Sequence, residues 1–593
     1  MPHQPVAVPP TPWLTQFHKH WKESPSRVFI RDLETHEEAT PTEFLYEVLA
    51  QRDRIWASLS AQERNRIQDP SEEVFIAIIA RAGFELAVLL FAVHALGGIA
   101  VPLRFNIHLD EARYFLGTCN AVLITSSQLA APHAESISSS MGIRHISFQP
   151  SFKEDDIPQT QFELSTDNTF PEYNPSRAFS LLYTSGTTGS PKGVLSSCGA
   201  TVKGMEYYMG KLALSSKDNW LLRSPVHWKG GFDFLLAAVW SGGGVEFANS
   251  VFSPGWFWER MRLSTSISVD GSENSDSSAK PITSFLGPPA LLISLKETLD
   301  QIEDRDRREY ELCLAGLRNL RFLLSGSMRV PESMKEVWRE LLPGRELVNM
   351  YGFTEISGMV AMPDWRAERV PADNCGAYSP DTIVKISDDG EICVKGERMM
   401  IRYISSDPSA NSNAFDTDGF YKTGDLGRIT ADGEVLVFGR ASQDVIRTNC
   451  YKLNSSDVED PLRSYPGISQ PFVLGVDDAS LGQRVAALLL QRTTPGSKPT
   501  AEAAALSNLS LADLRRWLAV EKGIPAFKLP ALLRVLPQDE FRGTTDNGKP
   551  SKRVIARMYF DEGAVERGEV QVWDFKIKED FTGRAWDWDG RPR

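Results

Sequence analysis

Residues 86–103 form an apolar run about the length of a membrane span, interrupted by His94, Gly97 and Gly98. The interruption decides its meaning. Paired glycines end a buried helix, and Ile99-Ala100-Val101-Pro102-Leu103 then reads as a short core strand. The segment therefore predicts a helix-to-strand unit of a layered α/β domain rather than a bilayer helix. The same order recurs at 320–324, a strand-like run, followed by a helix at 331–342. There Pro331 suits the first turn, Met334, Val337, Trp338 and Leu341 share one apolar face, and Pro343-Gly344 stops it. With 593 residues and 42% hydrophobic composition, such a chain exceeds one core and implies several domains.

Charge and cysteine usage narrow the class of partner. Lysine and arginine total 64 against 77 acids, a balance of −13, which repels a phosphodiester backbone, so nucleic acid is not an expected partner. The six cysteines (Cys119, Cys198, Cys313, Cys375, Cys393 and Cys450) form no C-x-x-C pair, which argues against a disulfide framework or zinc knuckle and for a reducing compartment. Residues 1–12 lack the basic-then-apolar order of a secretory signal and Arg591-Pro592-Arg593 is no peroxisomal tripeptide, so cytoplasm is the expected location. Residues 270–280, rich in Ser, Asp, Asn and Gly, predict a solvated loop. Ser510 with Asp513 resembles a capping box opening a helix through Leu511, Leu514 and Leu518, ended by Gly523 and Pro525.

The segment that carries chemistry is Leu181-Leu182-Tyr183-Thr184-Ser185-Gly186-Thr187-Thr188-Gly189-Ser190-Pro191-Lys192-Gly193, an apolar strand entering a loop of glycines, hydroxyls and one lysine. Glycines let backbone N–H groups approach phosphate oxygens, hydroxyls add donors, and Lys192 supplies a cation. The spacing from Gly186 to Lys192 does not fit the Walker pattern.

This loop resembles the signature of the adenylate-forming superfamily, which includes acyl-CoA synthetases, peptide-synthetase adenylation domains and beetle luciferases. Tyr351-Gly352-Phe353-Thr354-Glu355 is similar to the family's Y-G-x-T-E, and the resemblance implies that Tyr351 stacks near adenine while Thr354 and Glu355 serve the phosphate and Mg²⁺. Tyr421-Lys422-Thr423-Gly424-Asp425 resembles T-G-D, whose carboxylate accepts both ribose hydroxyls, and Arg440 matches the arginine at the domain boundary. Asn547-Gly548-Lys549 resembles the terminal G-K segment, which makes Lys549 the catalytic lysine. By the same likeness Gly326-Ser327-Met328 lies along adenine and Thr188 joins Glu355 as a metal-side residue. The implied fold is α/β: a large N-terminal region of layered sheets, residues 1–440, holding ATP and acid, then a small mobile α+β domain, residues 441–593, carrying Lys549.

The implied chemistry explains these residue types. A carboxylate becomes an electrophile once joined to the α-phosphate of ATP with loss of pyrophosphate, and the approach of an anion to a polyanion demands fixed positive charge. Family members then rotate the small domain to admit the thiol of coenzyme A, with 441–443 as the hinge. Three departures stand out: Ser442 at the usual Asp or Lys hinge position, Cys198 where relatives carry histidine, and Cys450, beside Tyr451, where a glycine usually lets the coenzyme A arm pass. Cys198 reads as a buried structural thiol.

His227-Trp228-Lys229-Gly230 resembles the H-x-x-G of acyl- and aryl-CoA ligases, in which the histidine closes over the acid. Phe232, Phe234, Phe285 and Gly287 would complete an apolar pocket for an aliphatic or aromatic acid. Asp233 is the nearby anion that could meet an amino group, but its spacing places it on a helix. Three readings stay open: a coenzyme A ligase, an enzyme loading a carrier protein's phosphopantetheine, and a catalytically dead nucleotide binder. Glu355, Asp425 and Lys549 are all retained, which disfavours the last.

Overall fold

The structure, a computed structural model, describes residues 5–151, 161–165, 173–184, 191–248, 251–265, 280–326, 330–440, 444–448, 451–478, 482–493, 501–544 and 550–574. The chain divides into two compact units: Met1–Lys385 with Cys393–Lys422 and Ile429–Leu436, and Ile386–Ile392 with Thr423–Arg428 and Val437–Arg593.

The first unit holds two seven-stranded sheets. In one, the order is Arg402–Ile404, Lys192–Ser197, Ala178–Thr184, Ile99–Leu103, Phe75–Ile79, Leu123–Ser126, Arg144–Ser147. Its pairs are parallel except that Lys192–Ser197 runs antiparallel to both neighbours. In the other, Leu347–Asn349, Phe322–Ser325, Ser284–Leu286, Asn219–Leu222, Gly244–Phe247 and Ile30–Asp32 are parallel, and Glu37–Ala39 is antiparallel at the edge.

Strand alternation sorts the side chains into layers. Ile76 and Ile78 join the central core while Phe75, Ala77 and Ile79 face outward, and Trp220 and Leu222 point to the centre while Leu221 points away. Helices Pro12–Glu23, Pro41–Ser58, Phe84–Leu96, Cys198–Leu212 and Lys229–Ser241 contribute to that central core. Helices Leu109–Cys119 and Ala131–Met141 cover the outer face of the first sheet, and Pro254–Arg262, Pro289–Arg305, Arg307–Leu317 and Glu332–Leu341 that of the second. A layered α/β fold results.

Phe84–Leu96 is buried on nearly every side, as a helix between two sheets must be. Gly97 ends it at φ 79°, and the chain turns into the strand Ile99–Leu103. No helix among the described residues is long and apolar enough to cross a membrane. In Glu332–Leu341 the buried residues include Met334, Trp338 and Leu341, while Pro331 stands at the N-cap, one place earlier than its sequence suggests.

The second unit contains the sheet Tyr451–Asn454, Val445–Thr448, Gly482–Gln491, Leu532–Pro537, Gln571–Val572, with Ile468–Asp478 also paired to Gly482–Gln491. Leu511–Val520 buries Leu511, Leu514 and Leu518 against it. Ser510 Oγ accepts from the Asp513 N–H at 3.1 Å and donates to the Asp513 carboxylate at 2.5 Å, so the reciprocal bond expected at the Ser510 N–H is replaced by one at the hydroxyl. Residues 270–279, the hinge 441–443, Cys450, and Lys549 lie outside the described residues.

Candidate active site

The two strands that flank the phosphate-loop motif pair with each other. Ala178–Thr184 and Lys192–Ser197 pair antiparallel with Lys192 opposite Thr184, whose Oγ1 donates to the Lys192 carbonyl at 3.3 Å. Ser185, Gly186, Thr187, Thr188 and Gly189 fall outside the described residues. Close packing fixes the returning strand, since a Cβ on Gly193 would lie 2.8 Å from Leu181 Cδ1. On its other side the strand pairs with Arg402–Ile404, Val194 opposite Tyr403, and the Lys192 ammonium lies over the Tyr403 ring at 5.2 Å.

Glu355 meets the same tyrosine. The segment 351–355 leaves the strand Leu347–Asn349, and Tyr351 is pinned by its N–H to the Ala361 carbonyl at 3.0 Å. A Cβ on Gly352 would stand 2.5 Å from Met359 Sδ, so the turn tolerates only glycine without repacking. Thr354 is partly exposed, whereas Glu355 is 8% exposed. The Tyr403 hydroxyl donates to Glu355 Oε1 and lies 3.0 Å from the Tyr421 hydroxyl. Burial, then the Glu355 charge and Tyr403, push the Tyr421 phenol far above its ordinary pKa, so it stays neutral. Phe353 packs on Tyr421 at 5.0 Å. Lys192, Glu355, Tyr403 and Tyr421 thus form one cluster, of which the sequence motifs single out only the first two for a role.

In the second unit, Arg440 Nε lies 2.9 Å from Asp425 Oδ1. Asp425 is placed by a tight turn: Gly424 has φ 74°, the Gly424 N–H donates to Glu391 Oε1 at 2.7 Å, and the Asp425 N–H to Thr423 Oγ1 at 3.0 Å. Tyr451 opens the strand Tyr451–Asn454.

The acid-side motif sits on a turn that starts the helix Lys229–Ser241. The Trp228 N–H donates to the Pro225 carbonyl at 3.0 Å. A Cβ on Gly231 would lie 2.2 Å from the Pro225 carbonyl oxygen and 2.5 Å from that of Ser224, so glycine lets the helix close on the turn. Gly230 faces Leu286, with 3.2 Å from its virtual Cβ to Cδ2. Burial, and then the Arg104 charge, lower the His227 pKa to about 4, so the imidazole is neutral at physiological pH. Trp228 meets His227 edge-on at 5.7 Å. Cys198, by contrast, opens a helix with a thiol that burial pushes up to about 12, which suits a structural group.

The expected pocket wall requires correction. Phe232 and Phe234 point into the central core, Phe232 toward Phe179 at 6.5 Å and Phe234 stacked on Trp220 at 4.6 Å. A helix between two sheets turns these rings to the core. Phe285 is likewise core, packed on Phe257 at 5.0 Å, while Gly287 donates its N–H to the Leu324 carbonyl at 3.0 Å. Asp233 is fully buried, paired with Lys229 on its own helix, and accepts from the Tyr208 hydroxyl at 3.2 Å, so its charge is already matched.

The segments that follow four strands of the second sheet share an edge. The parallel strands Leu347–Asn349, Phe322–Ser325, Ser284–Leu286 and Asn219–Leu222 end, side by side, at Tyr351, Gly326, Gly287 and the turn 223–227. Ligands of open α/β sheets bind outside the carboxyl ends of the strands. Ser327 and Met328 fall outside the described residues.

A lysine at the start of a strand in one sheet, together with a tyrosine-held glutamate and an acid-side turn beyond the strands of the other, defines a nucleotide-using enzyme of the adenylate-forming kind. The chain belongs to the AMP-binding enzyme family, which matches residues 68–404. It is 28% identical over 470 residues to a malonate–CoA ligase of Arabidopsis thaliana, covering 78% of this chain and 74% of that one. It is 26% identical over 565 residues to the acyl-CoA ligase oryP of Aspergillus oryzae, covering 93% of each. The fold is similar to that of ATP-bound MatB from Rhodopseudomonas palustris, with a TM-score of 0.71 at 20% identity over 92% of this chain and 99% of that one.

Proposed function

We propose that this chain is an acid–thiol ligase that activates a carboxylic acid with ATP and transfers the acyl group to coenzyme A. The observation that carries the reading is the cluster of Lys192, Glu355 and Tyr403 built around the base of the glycine hairpin. In the first half-reaction a carboxylate oxygen attacks the α-phosphorus of ATP, the bond to the bridging oxygen breaks, and pyrophosphate leaves. In the second, the coenzyme A sulfur displaces AMP from the acyl carbon, with loss of the thiol proton. Both steps require positioning and charge neutralisation more than covalent participation by the protein.

Lys192 places a cation at the hairpin base for the outer phosphates. Asp425, oriented by its turn and by Arg440, is assigned to the ribose hydroxyls. Tyr351, Gly352 and Gly326, with Ser327 and Met328, are assigned to adenine. Thr184, Ser185, Gly186, Thr187, Thr188 and Gly189 are assigned to the phosphates, with Thr354 beside them. His227, neutral and held over the acid-side turn, offers a hydrogen bond to the acid without adding a charge. Residues 1–440 would hold both substrates and residues 441–593 carry the catalytic Lys549, with Cys450 and Tyr451 along the thiol path.

Magnesium fits the donor set present. Among the described residues no group of three or more His, Cys, Asp or Glu is arranged to hold a metal. A magnesium ion that arrives with ATP needs one or two carboxylates besides phosphate and water, and Glu355, its orientation set by Tyr403, supplies one. When bound, the ion would neutralise phosphate charge; Glu355 and Thr188 would hold it. A reducing compartment such as the cytoplasm suits the described cysteines, which are free thiols.

The relatives named as CoA ligases favour free coenzyme A over a carrier protein. The test is acid-dependent pyrophosphate release from MgATP across aliphatic, aromatic and amino acids, with and without coenzyme A, in the wild type and in Lys549→Ala. Release with thioester formation, reduced in the variant on the order of 10²–10³-fold, supports the reading. Adenylate without thioester redirects it to a carrier protein, and absence of release with every acid overturns it.

A further inference from the structure

Arg223 directly follows the strand Asn219–Leu222, at the start of the turn that carries His227. Other arginines bordering this sheet meet carboxylates: Arg31 with Glu38 at 2.6 Å, Arg260 with Glu246 at 2.7 Å and Arg321 with Asp218 at 2.5 Å. Arg223 meets none among the described residues. Its contact there is the face of Phe252, with Cζ 5.1 Å from the ring centroid, and Phe252 is itself stacked on Phe285 at 6.0 Å and 9°. The guanidinium is partly buried, and burial pulls its pKa below the ordinary value, with no charged neighbour among the described residues to offset it.

A desolvated cation without a counter-ion is costly, so its presence calls for a compensating role. The geometry indicates one. A ring contact gives the guanidinium N–H donors no oxygen acceptor, and a guanidinium fork of this kind can meet a carboxylate through two parallel hydrogen bonds. The position indicates the source of that carboxylate. Arg223, Gly287 and Gly326 stand at the ends of neighbouring strands of one sheet, whereas Lys192 belongs to the hairpin of the other sheet. The ring that Arg223 meets, Phe252, is backed by Phe285, so this side of the guanidinium is apolar.

We propose that Arg223 is the counter-ion for a second carboxylate on the acid substrate, so that the enzyme selects a dicarboxylic acid and activates the end nearer His227. This rests on the acid–thiol ligase reading. It also replaces the expectation of a purely apolar acid, because a guanidinium without a carboxylate partner among the described residues penalises an apolar terminus placed against it.

The experiment compares short diacids of three to six carbons with their monomethyl esters, which keep the chain and remove one charge, in acid-dependent pyrophosphate release. Wild-type enzyme is expected to favour the diacid in kcat/KM on the order of 10²-fold. Arg223→Met is expected to erase that preference through the KM for the diacid, leaving the esters and the KM values for ATP and coenzyme A unchanged, with partial recovery in Arg223→Lys. Thermal melting confirms that the variants fold; if they do not, the wild-type comparison of diacid with ester decides by itself. Equal turnover of diacids and esters, an equal loss on both in Arg223→Met, or a rise confined to the KM for ATP or coenzyme A overturns the proposal while the ligase reading stands. No pyrophosphate release with any acid, monocarboxylic acids included, overturns both.

Discussion

The hydroxyl of Tyr403 donates to the carboxylate of Glu355, while the ring of the same tyrosine lies under the ammonium of Lys192. One side chain therefore touches both charged residues of the proposed phosphate site, and it reaches them from a strand distant in sequence from either. Tyr403→Phe keeps the ring and removes the hydroxyl. It is expected to lower kcat/KM for MgATP about tenfold, the scale of one hydrogen bond to a charged acceptor. Glu355→Gln is expected to cost on the order of 10²-fold. Because the hydroxyl acts through Glu355, the double variant should be no worse than Glu355→Gln; additive losses in ATP–pyrophosphate exchange would contradict this.

Asp425→Asn preserves shape and removes the charge paired with Arg440. If the carboxylate holds the ribose, ATP binding weakens on the order of tenfold while the KM for the acid is unchanged. Equilibrium nucleotide binding reads this directly, and an effect on the acid alone would place Asp425 elsewhere.

His227 makes stability depend on pH. Its folded pKa is about 4 against an ordinary 6.5, so between those values the unfolded chain binds a proton that the folded protein refuses. Stability is therefore undiminished above pH 6.5 and falls as pH drops toward 4, with a slope of up to about 1.4 kcal/mol per pH unit from this residue. His94, lowered to about 3 by burial, acts in the same direction. His227→Gln should remove up to one proton from the slope in urea unfolding between pH 7 and 4, as set by these values. An unchanged slope would refute the assignment.

Gly231→Ala introduces a methyl 2.2 Å from the Pro225 carbonyl oxygen. The turn must move or the helix start must open, at a cost of about 1–3 kcal/mol. A lowered melting temperature with a raised KM for the acid is expected; a raised KM for ATP alone would show that the turn does not serve the acid.

Regular elements were legible where a local pattern specified them. The apolar run with paired glycines gave the helix Phe84–Leu96 and the strand Ile99–Leu103, and Met334, Trp338 and Leu341 gave the helix face. The returning strand Lys192–Ser197 was not legible, because half of its pairing comes from Arg402–Ile404, far along the chain. For the same reason nothing marked Tyr403. Tyr421 heads a segment read for Asp425, and its role follows only once Glu355 is placed beside it. Phe232 and Phe234 show the opposite error: aromatic residues near a site motif suggest a pocket, yet their helix is enclosed by sheets, and burial decides where their rings go. Arg223 reads as an ordinary surface charge until the fold shows no partnering carboxylate for it among the described residues.

The ends of the parallel strands have a consequence for how this chain can diversify. Arg223, His227 and Gly287 leave from turns beyond the strands, whereas the side chains that hold the layers together leave from within them. Under the roles proposed for Arg223 and His227, substitutions there would change the acid chosen without repacking either sheet, and a new acyl preference would need only a few replacements on an inherited frame.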